Sequence, residues 1–79
     1  MAKRKNKGRM PIVSGQHPAV VFLDQQIIEG RLVARKVSEK AGLGPGAISN
    51  WRTLGTSPSV GNLEAALNVL GFKLAVVPL

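Results

Sequence analysis

The side chains with chemistry to offer are few, and their spacing rules out most of it. Asp24, Glu29, Glu39 and Glu64 are the only acids, and no two stand at a spacing that would pair carboxylates for general acid and base work. One histidine, His17, and no cysteine leave neither a nucleophile with its base nor a thiolate set for zinc. Gly42, Gly44 and Gly46 imitate a phosphate-binding loop, but no Lys-Ser or Lys-Thr follows them and no strand pattern precedes them. The expectation is therefore no enzyme, no metal and no cofactor. What the chain has in excess is cations. Eleven Lys and Arg against four acids give a formal net charge of +7 and a pI near 11.0, the electrostatic footprint of a protein that meets phosphate.

That charge is unevenly placed. Lys3, Arg4, Lys5, Lys7 and Arg9 all precede Met10, so residues 1–9 read as a solvated basic arm on a single folded domain over residues 10–79. A 79-residue chain has a core that is marginal without a staple; with no disulfide or metal expected, dimerisation is the staple that remains. No apolar run approaches the roughly 20 residues a membrane helix needs. Ser14, Gly15, Gln16 and His17 interrupt what would be a signal-peptide core. These features lead us to expect a cytoplasmic, nucleoid-associated protein with no room for an effector-sensing domain.

The elements follow from periodicity. Met10 to Val13 reads as a short extended stretch closed by Ser14-Gly15. His17-Pro18 opens a first helix, with Val20, Leu23, Ile27 and Ile28 on one face and Asp24, Gln25, Gln26 and Glu29 on the other, ending near Gly30. A second helix is expected from about Val33 to Ala41 and a third from about Pro45 to Thr53. Pro58 or Ser59 starts a fourth, whose stripe is Val60, Leu63, Leu67 and Leu70, with Gly71 as its C-cap. Phe72 to Val77 alternates and is halted by Pro78, a strand signal.

Val37, Ala41, Leu43, Ile48 and Trp51 fall where two short helices joined by a tight turn would both point inward. Gly42 occupies the position where the chain must turn left-handed, and Ser38 supplies a small side chain where the next helix approaches. Trp51, three residues after Ile48, belongs to the core rather than to a stacking surface, and His17 is a helix-start residue rather than a catalytic base.

Val37-Ser38-Glu39-Lys40-Ala41-Gly42-Leu43, then Ile48-Ser49-Asn50-Trp51, then Pro58-Ser59-Val60 and Leu63 to Gly71 resemble the lambda-repressor and Cro (XRE-like) type of helix-turn-helix domain over about half the chain. The resemblance implies an all-α, lambda-repressor-like fold of about four helices, here followed by a C-terminal β-strand, with the motif at about 33–53. It implies double-stranded DNA as partner and base contacts from the N-terminal part of the third helix, which carries across to Pro45, Gly46, Ser49 and Asn50, with Arg52 nearby. Asn50 can donate to and accept from adenine at once, Ser49 can reach any base, and Arg52 can pair with guanine or phosphate. Backbone contacts are expected from Arg35, Lys36, Gly44, Thr53, Thr56, Ser57 and Ser59. Their bland alternatives are a solvated charged face for Arg35 and Lys36 and helix capping for the hydroxyls.

Gly44-Pro45-Gly46 departs from the family, which places polar base-reading side chains there. Base readout should be thinner than usual, with shape or the basic arm in a neighbouring minor groove contributing preference; alternatively Pro45 only starts the helix and Gly46 only avoids a clash. The strand at 72–77 needs a partner for its backbone. It either folds back, with Met10 to Val13 as the internal candidate, or pairs across a homodimer that buries Phe72, Leu74, Val76 and Val77.

The function expected is that of a dimeric transcriptional repressor on an inverted-repeat operator. Two others compete with it. One is an antitoxin-like or phage or mobile-element accessory regulator that binds a partner protein as well as DNA. The other is a non-specific nucleic-acid binder driven by the arm, with steep salt dependence.

Overall fold

Four helices form among residues 11–79, which the computed structural model describes: α1 (Pro18–Glu29), α2 (Ala34–Lys40), α3 (Ala47–Thr53) and α4 (Val60–Val69). The arm residues Lys3, Arg4, Lys5, Lys7 and Arg9, and Met10 of the extended stretch, lie outside the described residues.

Several boundaries have a local cause. His17 caps α1, its Nδ1 accepting from the Ala19 amide at 3.0 Å, with Pro18 at the first helical position where a missing N–H costs nothing. Ser59 caps α4 by accepting from the Asn62 amide at 3.1 Å. Three helices end in the same pair of hydrogen bonds. At α4, the amides of Gly71 and Phe72 donate to the carbonyls of Asn68 and Leu67; at α2, those of Gly42 and Leu43 donate to Glu39 and Ser38; at α1, those of Arg31 and Leu32 donate to Ile28 and Ile27. This motif needs a left-handed residue just past the helix. Gly71 and Gly42 supply it at φ 91° and 80°, whereas α1 uses Arg31 at φ 54°.

The core is a single cluster. Val20, Leu23 and Ile27 from α1 meet Val37 from α2, Ile48 and Trp51 from α3, and Leu63, Ala66 and Leu67 from α4. Both α1 and α2 pack against α3 and α4. Full burial of one such Leu or Ile stabilises by about 1.5–3 kcal/mol. Three expected core residues lie outside the cluster and the residues packed on it: Ala41 is only half-buried, Ile28 is about half exposed and Val60 is 75% exposed. Asp24, expected on the outer face of α1, is buried.

The C-terminal strand expected at 72–77 does not form among the described residues, which contain no strand at all. Its internal partner is otherwise engaged: the Val13 amide donates to the Arg52 carbonyl at 2.8 Å, tying that stretch to the end of α3. Instead the segment lies over α1. Phe72 meets Phe22 edge to face with ring centroids 5.0 Å apart, and Leu74 packs on the core. From residue 73 onward no backbone hydrogen bond is made among the described residues. No helix among them is long and apolar enough to cross a membrane.

Candidate nucleic-acid interface

A seven-residue helix such as α3 is too short to hold itself together in water, so its position must come from groups outside it. At its N-terminus the cap is Gly46, which has no side chain to offer. Ser38 of α2 takes over that task. Its buried Oγ accepts from the Ile48 amide at 3.3 Å while donating to the Ala34 carbonyl at 3.0 Å. A hydroxyl on one helix thus satisfies an orphan amide at the start of the next.

The other end is held from the N-terminal segment. Gln16 Nε2 donates to the Trp51 carbonyl at 2.9 Å and to the Thr56 carbonyl at 3.3 Å, and Val13 takes the Arg52 carbonyl. The Trp51 and Arg52 carbonyls belong to the last turn of α3 and have no partners inside the helix, while Thr56 lies in the loop beyond it. Arg52 itself points inward, where its Nε donates to Asp24 Oδ1 of α1 in a buried ion pair. Arg52 is thereby corrected from a base-reading residue to one that fixes α3 against α1. The residues that position the helix, namely Ser38, Gln16 and Asp24, carry no sequence signal for that role beyond the small side chain at Ser38.

What α3 leaves outside is Ser49 and Asn50, both exposed. Neither Asn50 nor Ser49 makes a side-chain hydrogen bond among the described residues. Gly44, Pro45 and Gly46 are exposed too, but they form the turn before α3 rather than its first residues, because the helix begins at Ala47. Gly46 does not avoid a clash within the chain: a Cβ at Gly44 or Gly46 would meet nothing within 4 Å, and neither has a positive φ. The glycines there leave the surface bare for reasons the chain's own packing does not supply.

The expected backbone contacts are dispersed. Thr53 is half-buried, and its Oγ1 is spent on the Ser49 carbonyl at 2.9 Å. Thr56, Ser57 and Ser59 are exposed around the start of α4, where the Ser59 hydroxyl already serves as cap. Arg35 and Lys36 are exposed on α2. Arg35 pairs with Glu39 at 3.4 Å, and Lys36 lines a groove with Arg31 and Lys40. At 100° per residue Arg35 lies on the side of α2 that carries Ser38 toward α3, and Lys36 lies on the other. The structure therefore brings together Gly44 to Gly46, Ser49 and Asn50, and separates Lys36 from them.

Set against protein-family models, curated proteins and solved structures, the chain matches none. The site's chemistry rests on its own residues. The exposed side of α3 and the turn before it offer an amide, a hydroxyl and bare backbone with no acid, on a chain of formal charge +7. Such a surface can accept hydrogen bonds from base edges, donate to them, and approach them closely.

Proposed function

We propose that the protein is a sequence-specific DNA-binding transcriptional regulator, a dimeric repressor that places α3 in the major groove of an inverted-repeat operator. The observation that carries this reading is the way α3 is held. A helix too short to stand alone is fixed at both ends and through Arg52, yet its outer side is left with Ser49 and Asn50 and a turn stripped of side chains at Gly44 and Gly46. Rigid support behind a polar, acid-free helix face is what base readout requires.

In this reading Asn50 and Ser49 touch base edges, and Pro45 and Gly46 make apolar and backbone approaches. Arg35, Gly44, Thr56, Ser57 and Ser59 take phosphates, the last three beside the free amides that open α4. Two copies join through the segment after α4. Its backbone makes no hydrogen bond among the described residues from residue 73 onward, and Val76 and Val77 are largely exposed. An antiparallel pairing of the two segments about Ala75 would set Leu74 opposite the partner's Val76 and keep the two Lys73 ammoniums apart.

The test is binding of the purified protein to DNA from upstream of its own gene and to a scrambled duplex of equal length, at two salt concentrations, with stoichiometry recorded. A specific preference of at least a hundredfold with two chains per site supports the proposal. Equal affinity for both, with a steep salt dependence, replaces it with non-specific nucleic-acid binding.

A further inference from the structure

Away from the α3 surface, one side of α2, the α1–α2 connection and the end of α4 line a groove of about 300 Å³. Its floor is apolar, with Leu32, Val33 and Leu70 contributing, and Leu32 and Val33 are exposed. Its rim is made of three cations, Arg31, Lys36 and Lys40, and no acid lines it. Lys36 and Lys40 are one helical turn apart and repel each other. Glu39, three residues from Lys36, could have relieved them but is paired with Arg35 instead. Arg31 is the one non-glycine residue with positive φ among the described residues, a costly backbone state for a side chain.

We propose that this groove is a docking site for an acidic, amphipathic helical segment of a partner protein. Apolar side chains of that segment seat on Leu32, Val33 and Leu70, and its carboxylates pair with Arg31, Lys36 and Lys40. Charge complementarity selects the occupant: three cations without an acid call for an anion, and the apolar floor excludes one that is anionic throughout. A nucleic-acid backbone would meet the cations but leave Leu32 and Val33 in water. A helix with carboxylates three or four residues apart around a Leu, Ile or Phe satisfies both. The groove is lined by no residue of α3, so the inference stands whether or not α3 reads DNA.

The experiment is selection from a phage-displayed library of random 14-residue peptides against the full chain, followed by anisotropy titration of the enriched sequence as a synthetic peptide. The expected result is enrichment of Asp or Glu interleaved with Leu, Ile or Phe at three- and four-residue spacing. Affinity should fall at least tenfold in K36E/K40E and by a smaller factor in K36A/K40A; both sites are exposed, and an unchanged circular dichroism spectrum checks the fold. No enrichment, enrichment without acids, or binding indifferent to K36E/K40E would overturn the proposal. Full displacement of the peptide by a duplex of random sequence would assign the groove to nucleic acid and overturn it equally.

Discussion

Arg52 on α3 and Asp24 on α1 form a buried ion pair across 28 residues of sequence, with Arg52 Nε donating to Asp24 Oδ1. Each side chain keeps less than a tenth of its surface in water. Taking two charges out of water is costly, and their attraction roughly offsets that cost only while both are present. The pair thus contributes less to net stability than to geometry: it fixes how α3 is set against α1.

Removal of one partner should be far worse than removal of both. Asp24→Ala leaves a buried guanidinium without its carboxylate and should cost about 3–5 kcal/mol. That is much of the total stability of a domain of this size, for which about 0.05–0.15 kcal/mol per residue is typical. The double replacement Asp24→Leu with Arg52→Met should recover most of the loss. Urea denaturation of the three proteins checks this; additive losses would show that the two residues do not act as a pair.

Ser38→Ala should destabilise by about 1 kcal/mol, the usual worth of a helix cap, because the Ile48 amide loses its acceptor. Ser38→Leu should cost more, since Ser38 is fully buried. Chemical denaturation gives both values, and hydrogen exchange at the Ile48 amide should quicken in Ser38→Ala. An unchanged exchange rate would mean that Ser38 fills space without capping α3.

The left-handed residues after the helices make opposite predictions. Gly42→Ala should cost about 1–2 kcal/mol through backbone strain alone, since a Cβ at Gly42 would meet nothing within 4 Å. Arg31→Gly should stabilise by a similar or slightly smaller amount. Thermal melts would check both, and a destabilised Arg31→Gly would show that the arginine side chain contributes more than its backbone state costs.

The proposed dimer would rest on the segment after α4. Val76 has no neighbour to lose, being fully exposed in the single chain, so Val76→Lys should leave the fold intact. In solution it should convert a dimer to a monomer, read by light scattering at matched concentration. A wild-type monomer, or a dimer indifferent to Val76→Lys, would remove this segment from the interface.

Much of this was legible in the sequence because its causes are local. Gly42 and Gly71 mark their left-handed positions, Ser59 precedes its helix as a cap should, and Trp51 keeps helical spacing with Ile48, so the ends of α2 and α4 and the α2–α3 core follow from neighbours. The buried pair was not legible: Asp24 and Arg52 are polar residues on polar stretches, and only the tertiary approach of α1 to α3 turns both inward. Ser38 showed its size but not its bond to Ile48. The expected strand at 72–77 has the right alternation, yet a strand is completed by its partner, and Val13 is bound to Arg52 instead. Pro45 marks a helix start by composition, but the chain spends it in the turn, so α3 begins two residues later.

Substitutions at Gly44 and Asn50 separate binding from folding. Gly44→Ala meets nothing within the chain and should leave stability level or raised by up to about 1 kcal/mol, while lowering affinity for the upstream duplex through loss of close approach. Parallel melts and titrations check it; unchanged affinity would show that the turn does not approach DNA.

Asn50→Ala is the most direct measurement, because Asn50 is exposed on α3 and its loss should not touch the fold. Specific affinity for the upstream duplex and non-specific affinity for the scrambled one should be measured side by side for wild type and variant. We expect the ratio of the two to fall by about 5- to 150-fold, equivalent to about 1–3 kcal/mol for one bidentate base contact, with non-specific affinity unchanged. A ratio that stays where it was, with the protein folded, would contradict base readout by α3.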